Sequence, residues 1–317
     1  MQKIALIFLI VLTGFASNAQ QESLFTQFMF NKLAINPAFA GNENAYCLTG
    51  IVREHWMGFP GAPKVQALSV NFPKMARDRV GLGFSISRNS IGVQQKLSIE
   101  GSYAYRIPFE NGEFSMGISV SGRQYNTDFT DPSINMAHPY FQDAAISEGK
   151  YVKNIFNAGF GLYYNNDRFY IGAGLPRMLR ASIDLGESPE TSFEVRHLYV
   201  MTGFAFYINP KIMFMPQFLL KAAENSPVQM DFNLGWKFYD RYFAAVTVRE
   251  GGSSYVLAES LDLIGGVQLS REFFMGLAYD ITITPIREFE SGSVELMLNY
   301  CFGRKDKGTY IVSPRFF

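Results

Sequence analysis

Beyond its first dozen residues the sequence has no long apolar run. Ile4–Leu12 is apolar but too short to cross a bilayer as a helix, and nothing later approaches the roughly 20 residues such a helix needs. Helical membrane spans are therefore excluded. Only 2 cysteines occur, Cys47 and Cys301, too few for a disulfide scaffold in a chain of 317 residues. Two buried or lipid-facing thiols are favoured, with a bridge between the first and last strand-like segments left open. Neither sign of charge is in excess, since Lys+Arg and Asp+Glu both number 28, and no basic run stands out. Nucleic acid is not an expected partner. The 3 histidines, His55, His138 and His197, have no metal-ligand spacing, and no phosphate or dinucleotide loop occurs. Glu288 and Glu290 read as a solvated loop pair rather than an acid and base. No cofactor, metal or catalytic set is expected.

What the chain does have begins with an export signal. Met1–Lys3 is a short basic region, Ile4–Leu12 is apolar, and Ser17-Asn18-Ala19 places small residues before Gln20. Residues 1–19 read as a signal peptide, and no cysteine follows that could carry a lipid. The remainder is low in charge, at 18%, and rich in aromatics, at 15%. A soluble domain carries about a quarter charged residues.

A period of two then recurs along the chain. Val80, Leu82, Phe84 and Ile86 alternate with Gly81, Gly83, Ser85 and Ser87. Phe114, Met116, Ile118 and Val120 alternate with Ser115, Gly117, Ser119 and Ser121. The pattern returns at Val228–Lys237 and Ser293–Phe302. Successive side chains of a strand point to opposite faces, so each segment has an apolar face and a small or polar one. About 14 such segments can be placed: 45–55, 64–72, 79–90, 94–107, 112–125, 152–165, 167–176, 194–208, 210–221, 227–239, 241–250, 259–270, 272–284 and 291–303. An even number of strands of about 10 residues predicts an all-β fold, a transmembrane antiparallel β-barrel.

The connections sort by length. Asn165–Asp167, Asn209-Pro210, the turn at Asp240, Ser270-Arg271, Pro73–Asp78 and Pro108–Gly112 are built from turn formers and predict short periplasmic turns. Trp56–Pro63, Asn126–Tyr151, Pro176–Glu194, Glu250–Ala258 and Pro285–Glu290 predict longer extracellular loops. Tyr163, Tyr164, Phe169 and Tyr170 flank one short turn, Trp236, Phe238, Tyr242 and Phe243 another, and Phe206 and Tyr207 a third, which predicts an aromatic girdle at the inner interface. Lys96, Glu100, Arg106, Arg123, Asp231, Lys237, Asp262, Asp280 and Glu295 fall on the polar face and read as a solvated, charge-balanced wall. The same face carries Gly81, Gly83, Gly117, Gly172, Gly174, Gly235 and Gly276, which predicts close approach by another backbone. Gly101 falls in the apolar phase instead.

Between the signal and the first strand lies QFMFNKLAINPAFAG, with neither a helical stripe nor strand alternation. Disordered leaders are poor in aromatics, so residues 20–44 are expected to dock at the periplasmic mouth or in the lumen. Phe28, Met29, Phe30 and Phe39 would be the anchors, with Asn36-Pro37 and Gly41 turning the chain into strand one. Several stretches taken together resemble the PorP/SprF family of type IX secretion outer-membrane proteins. The match runs through Gln27, Phe28, Met29, Phe30 and Asn31, then Asn36, Pro37, Ala38, Phe39, Ala40 and Gly41, then Trp56 with Phe59, Pro60, Gly61, Ala62 and Pro63. The ending Ser313-Pro314-Arg315-Phe316-Phe317 is similar too. Lys32 departs from the family, which often has proline there.

The resemblance implies a non-enzymatic barrel (residues 45–303) with a periplasmic tail (304–317). It implies support for export and surface attachment of secreted cargo or adhesins, including those used in gliding. Its implied partners are outer-membrane lipid, a cargo's C-terminal domain, secretion components and a peptidoglycan-linked periplasmic protein. The Trp56–Pro63 loop reads either as a contact site or as a loop folded over its own barrel. A diffusion porin or solute channel is the alternative function; an outer-membrane enzyme lacks a clustered catalytic set.

Overall fold

Alternation of apolar and small residues leaves one way to satisfy every backbone group in lipid, a sheet with no edge. The computed structural model, which describes residues 25–43, 45–109, 111–129, 149–183, 193–224, 226–251 and 258–303, has that sheet. The strands are β1 (Tyr46–Glu54), β2 (Lys64–Asn71), β3 (Val80–Ile91), β4 (Gln94–Phe109), β5 (Gly112–Asp128), β6 (Lys150–Asn165), β7 (Phe169–Leu175), β8 (His197–Phe204), β9 (Phe206–Asn209), β10 (Ile212–Ala223), β11 (Gln229–Phe238), β12 (Tyr242–Glu250), β13 (Ser260–Gln268), β14 (Phe273–Thr282) and β15 (Ser293–Phe302). Each pairs antiparallel with its neighbours, and β15 pairs with β1 to close the ring. β8 and β9 are two parts of one stave, both paired with β10 and separated at Ala205, so the closed barrel has 14 strands. The expected fold class is borne out.

The phase is as the sequence predicts. In β11, Gln229, Asp231, Asn233, Gly235 and Lys237 are buried inside while Phe232 and Leu234 are exposed outside. Phe84, Ile118, Val120, Phe156, Leu234, Leu277 and Leu298 belong to an exposed apolar belt. Water would make that belt costly; lipid makes it the natural surface. Tight turns gather at one end. Asn166 Oδ1 accepts from the Arg168 and Phe169 N–H groups at 2.9 and 2.8 Å, and Asn209 Oδ1 from Lys211 N–H at 2.8 Å. Tyr239 and Asp240 turn the chain with φ of 52° and 53°. The other end carries the longer connections, although Gly92-Val93 and the link between β10 and β11 are short there too.

Two expectations need correction. Tyr163, Tyr170 and Phe243 are not girdle residues, because they occupy the inward phase and are buried at 1%, 0% and 3% exposure. Tyr164, Phe169, Phe206, Trp236, Phe238 and Tyr242 take the outward phase, several of them in ring contact with one another. Tyr207, paired with the inward Met213, takes the inward phase although it is exposed. The cysteines are bridged: Cys47 and Cys301 stand opposite each other in the β1–β15 register and form a disulfide. The favoured reading of two thiols failed because sequence spacing does not show which residues the ring brings together. Residues 1–24 and 304–317 lie outside the described residues, and with them the signal peptide and C-terminal tail.

Candidate functional site

The lumen is occupied by the chain's own N-terminal segment. Its apolar side chains are too closely spaced for a strand, and the segment instead makes three single 3-10 turns, Phe28–Phe30, Lys32–Ala34 and Pro37–Phe39. The third is the best specified locally. Proline sits in its first turn, and the Asn36 side chain accepts from the Ala38 N–H at 2.9 Å as an N-cap. The same amide donates outward to the Leu162 carbonyl at 2.9 Å, tying the turn to β6.

Aromatic anchors fix the segment to the inner wall. Phe28, Met29, Phe30, Leu33 and Phe39 are all buried. The Phe30 ring packs on Phe243 and Phe274, with centroids 5.3 and 5.0 Å away. Phe39 meets Tyr163 edge to face at 5.5 Å. Lys32 lies fully buried with its ammonium 4.1 Å from the Tyr170 ring centroid. Burial pushes its pKa down to about 7, with the Glu43 carboxylate opposing the shift. Lys32 also begins its 3-10 turn, a position that suits proline.

On the β3–β7 side glycines in the wall make room for the segment. A Cβ on Gly81 would collide with the Ala40 carbonyl, on Gly117 with the Pro37–Ala38 backbone, on Gly161 with Asn36, and on Gly174 with the Ile35 carbonyl. Gly41 itself has φ +74° and no room for a Cβ against Gly81. Arg106 bonds the Ala40 carbonyl, and Asn71 accepts from the Gly41 N–H.

On the opposite side, formed by β10 to β15 and β1, the wall holds the segment with charge. Thr26 N–H and Gln27 N–H each donate to the Glu295 carboxylate at 2.8 Å. Thr26 Oγ1 donates to Asp280 at 2.8 Å and accepts from Arg53 at 2.7 Å. Arg53 pairs with Asp280 at 2.6 Å, and Arg249 lies 3.2, 3.2 and 3.4 Å from Asp231, Asp262 and Asp280. Lys221 completes the cluster on Asp231 at 2.7 Å. All of these side chains are at least nine-tenths buried. The expected solvated wall is thus wrong for Asp231, Lys237, Asp262, Asp280, Glu295, Arg106 and Arg123: these groups are desolvated, and ion pairs and hydrogen bonds replace water. Lys96 and Glu100 are only part-buried.

Nearer the long loops, Arg123 pairs with Glu194, which also accepts from Tyr125 at 3.0 Å and Asn157 at 2.8 Å. Asn157 Oδ1 accepts from Met178 and Leu179 N–H at 3.0 and 2.9 Å, drawing the β7–β8 connection inward. Above the segment remains a cavity of about 640 Å3, lined among others by Trp56, Pro60, Pro63, Tyr125, Phe193 and His197.

A family model described as "Type IX secretion system membrane protein PorP/SprF" matches residues 17–300. The chain belongs to this family. With its barrel and apolar belt, this PorP/SprF chain is a protein of the outer membrane. No curated relative matches it. Among solved structures it is similar to the outer-membrane protein Omp33 of Acinetobacter baumannii, at 8% identity and TM-score 0.47, covering 83% of this chain and 100% of that one. It is also similar to the P. putida toluene transporter TodX, at 10% identity and TM-score 0.47, covering 86% and 93%.

The PorP/SprF motif residues fall in two places. Phe28, Met29, Phe30, Asn31, Asn36, Pro37, Phe39 and Gly41 share the luminal segment, where Asn31 Oδ1 accepts from Ser69 at 2.9 Å. Trp56, Phe59, Pro60, Gly61 and Pro63 form a rim loop at the far end. It is pinned by Met57 N–H to the Gly292 carbonyl at 2.8 Å and by Gly92 N–H to the Gly61 carbonyl at 2.9 Å, leaving Phe59, Pro60 and Gly61 exposed. The two groups do not converge. Arg315, Phe316 and Phe317 lie outside the described residues. Thr26, Arg53, Lys221 and Arg249 went unselected by sequence, although the inward phase of β12 (Ala245, Thr247, Arg249) already marked Arg249.

Proposed function

We propose that this chain is an occluded docking platform of the type IX secretion system, supporting export and surface attachment of secreted cargo or adhesins, gliding adhesins among them. Its long-loop end faces the exterior and holds a cargo's C-terminal domain at the rim loop and cavity. Its short-turn end faces the periplasm and meets the secretion machinery, including a peptidoglycan-linked protein. The single observation that carries this reading is the luminal segment. A solute channel needs an aqueous path, whereas here packed rings, backbone contacts and a desolvated charge cluster fill the bore. What stays open is a cavity on one side, the shape of a receptor rather than a conduit.

The test is removal of Gln21–Lys32. The barrel should still assemble, because β1 begins after the deletion, while cargo display at the cell surface should be lost. Steady solute flux through the intact protein would favour a porin instead.

A further inference from the structure

The pair that closes the barrel is linked by side chains along its inner face. Register sets Cys47 opposite Cys301, Thr49 opposite Asn299, Ile51 opposite Met297 and Arg53 opposite Glu295. Alternation turns all of them inward, where each is buried. The first pair is a disulfide. In the second, Asn299 Nδ2 donates to Thr49 Oγ1 at 2.9 Å. Ile51 and Met297, both fully buried, form the apolar third. The fourth is an ion pair at 3.5 Å whose carboxylate is also held by the Thr26 and Gln27 N–H groups.

A barrel made from one chain has a single place where its first and last strands meet. Any strand pair could in principle unzip from an end, but this pair is fastened at both. Opening from the short-turn end requires breaking a covalent bond between residues 254 apart in sequence. Opening from the long-loop end would separate Arg53 from Glu295 and Asp280 in a low-dielectric setting and break its hydrogen bond to Thr26 Oγ1 of the luminal segment.

We propose that the β1–β15 seam is a permanent latch, so that the working protein never opens laterally there. Partners then reach the protein along the barrel axis or against its outer wall, and none passes between the first and last strands. The disulfide is the covalent part of the latch, and the hydrogen bond and ion pair extend it across the membrane. The latch belongs to the wall itself and holds whatever the barrel carries.

Two measurements test it. Outer membranes are denatured with a maleimide-coupled polyethylene glycol, with and without prior reduction. The latch predicts mass-tagged protein only after reduction; tagging of unreduced wild type would overturn it, independently of any secretion assay. A second bridge is then moved along the seam, by Thr49→Cys with Asn299→Cys in a Cys47→Ala, Cys301→Ala background. Surface cargo is scored per folded barrel, with heat-modifiable mobility giving the folded fraction. Display equal to the background variant with the new bridge oxidised supports the latch. Loss of display that a reductant restores would show that the seam has to open.

Discussion

The two walls that grip the luminal segment do so by opposite means. Along β3–β7 room is made by what is missing: glycines at 81, 117 and 174 let backbone lie on backbone, and Gly161 admits the Asn36 side chain. Along β10–β15 and β1 it is made by charge, with Arg53, Arg249 and Lys221 set among Asp231, Asp262, Asp280 and Glu295. Space sets how deep the segment sits but hardly its position along the bore. Directed bonds to Thr26 and Gln27 fix that position, at a desolvation cost that an apolar wall would not carry. The difference teaches that glycine gives the wall room while charge gives it an address.

Removing the segment's own aromatic anchors should have the largest effect. Phe28→Ala with Phe30→Ala deletes two buried rings, each worth about 3–5 kcal/mol in a packed interior. The segment should undock, and limited proteolysis should then cut within residues 25–43 while the barrel resists. Next comes the charged wall. Arg249→Ala takes a cation from three carboxylates and leaves Asp262 without its ion pair, and breaking such a buried cluster costs about 3–5 kcal/mol. Heat-modifiable mobility should show a lower melting temperature of the barrel itself, since the cluster joins seven strands, β10 to β15 and β1. Gly117→Leu attacks only the glycine wall, and overpacking costs about 1–3 kcal/mol. It should leave barrel melting unchanged yet increase hydrogen exchange of Ala38 and Phe39. If Gly117→Leu lowered barrel melting as much as Arg249→Ala, the division of labour between the walls would fail.

The last effect is a pH dependence. Lys32 titrates near pH 7 when buried and near its ordinary 10.5 when undocked. Docking therefore releases a proton between those values, so the docked segment gains stability as pH rises from about 7 to 10.5 and is insensitive to Lys32 below 7. Lys32→Met should abolish that slope in the proteolysis assay; an unchanged slope would assign it to another group.

The strands were legible because their information is local. A period of two in Val228–Lys237 needs no partner to be read, and the structure places Asp231, Asn233 and Gly235 inside as that period requires. The aromatic pairs at the turns show where local reading fails. Tyr163 and Tyr164 are neighbours of equal propensity, and only phase separates the ring that meets Phe39 from the ring that faces lipid. Glycine on the inner face did announce a close backbone approach at Gly81, Gly117 and Gly174, whereas Gly83, Gly172, Gly235 and Gly276 lie nearest to side chains. Gly101, out of phase, has open space around it. The charge cluster and the disulfide were not legible, because both depend on pairings across the ring. Arg53 and Asp280 lie 227 residues apart in the chain and 2.6 Å apart in space. No spacing in one sequence carries that distance.

Single-channel conductance of the purified barrel, beside the Gln21–Lys32 deletion, tests the central claim most directly. An occluded lumen predicts no steady conductance from the intact protein and a stable open level from the deletion. Steady conductance from the intact protein, unchanged by the deletion, would contradict it.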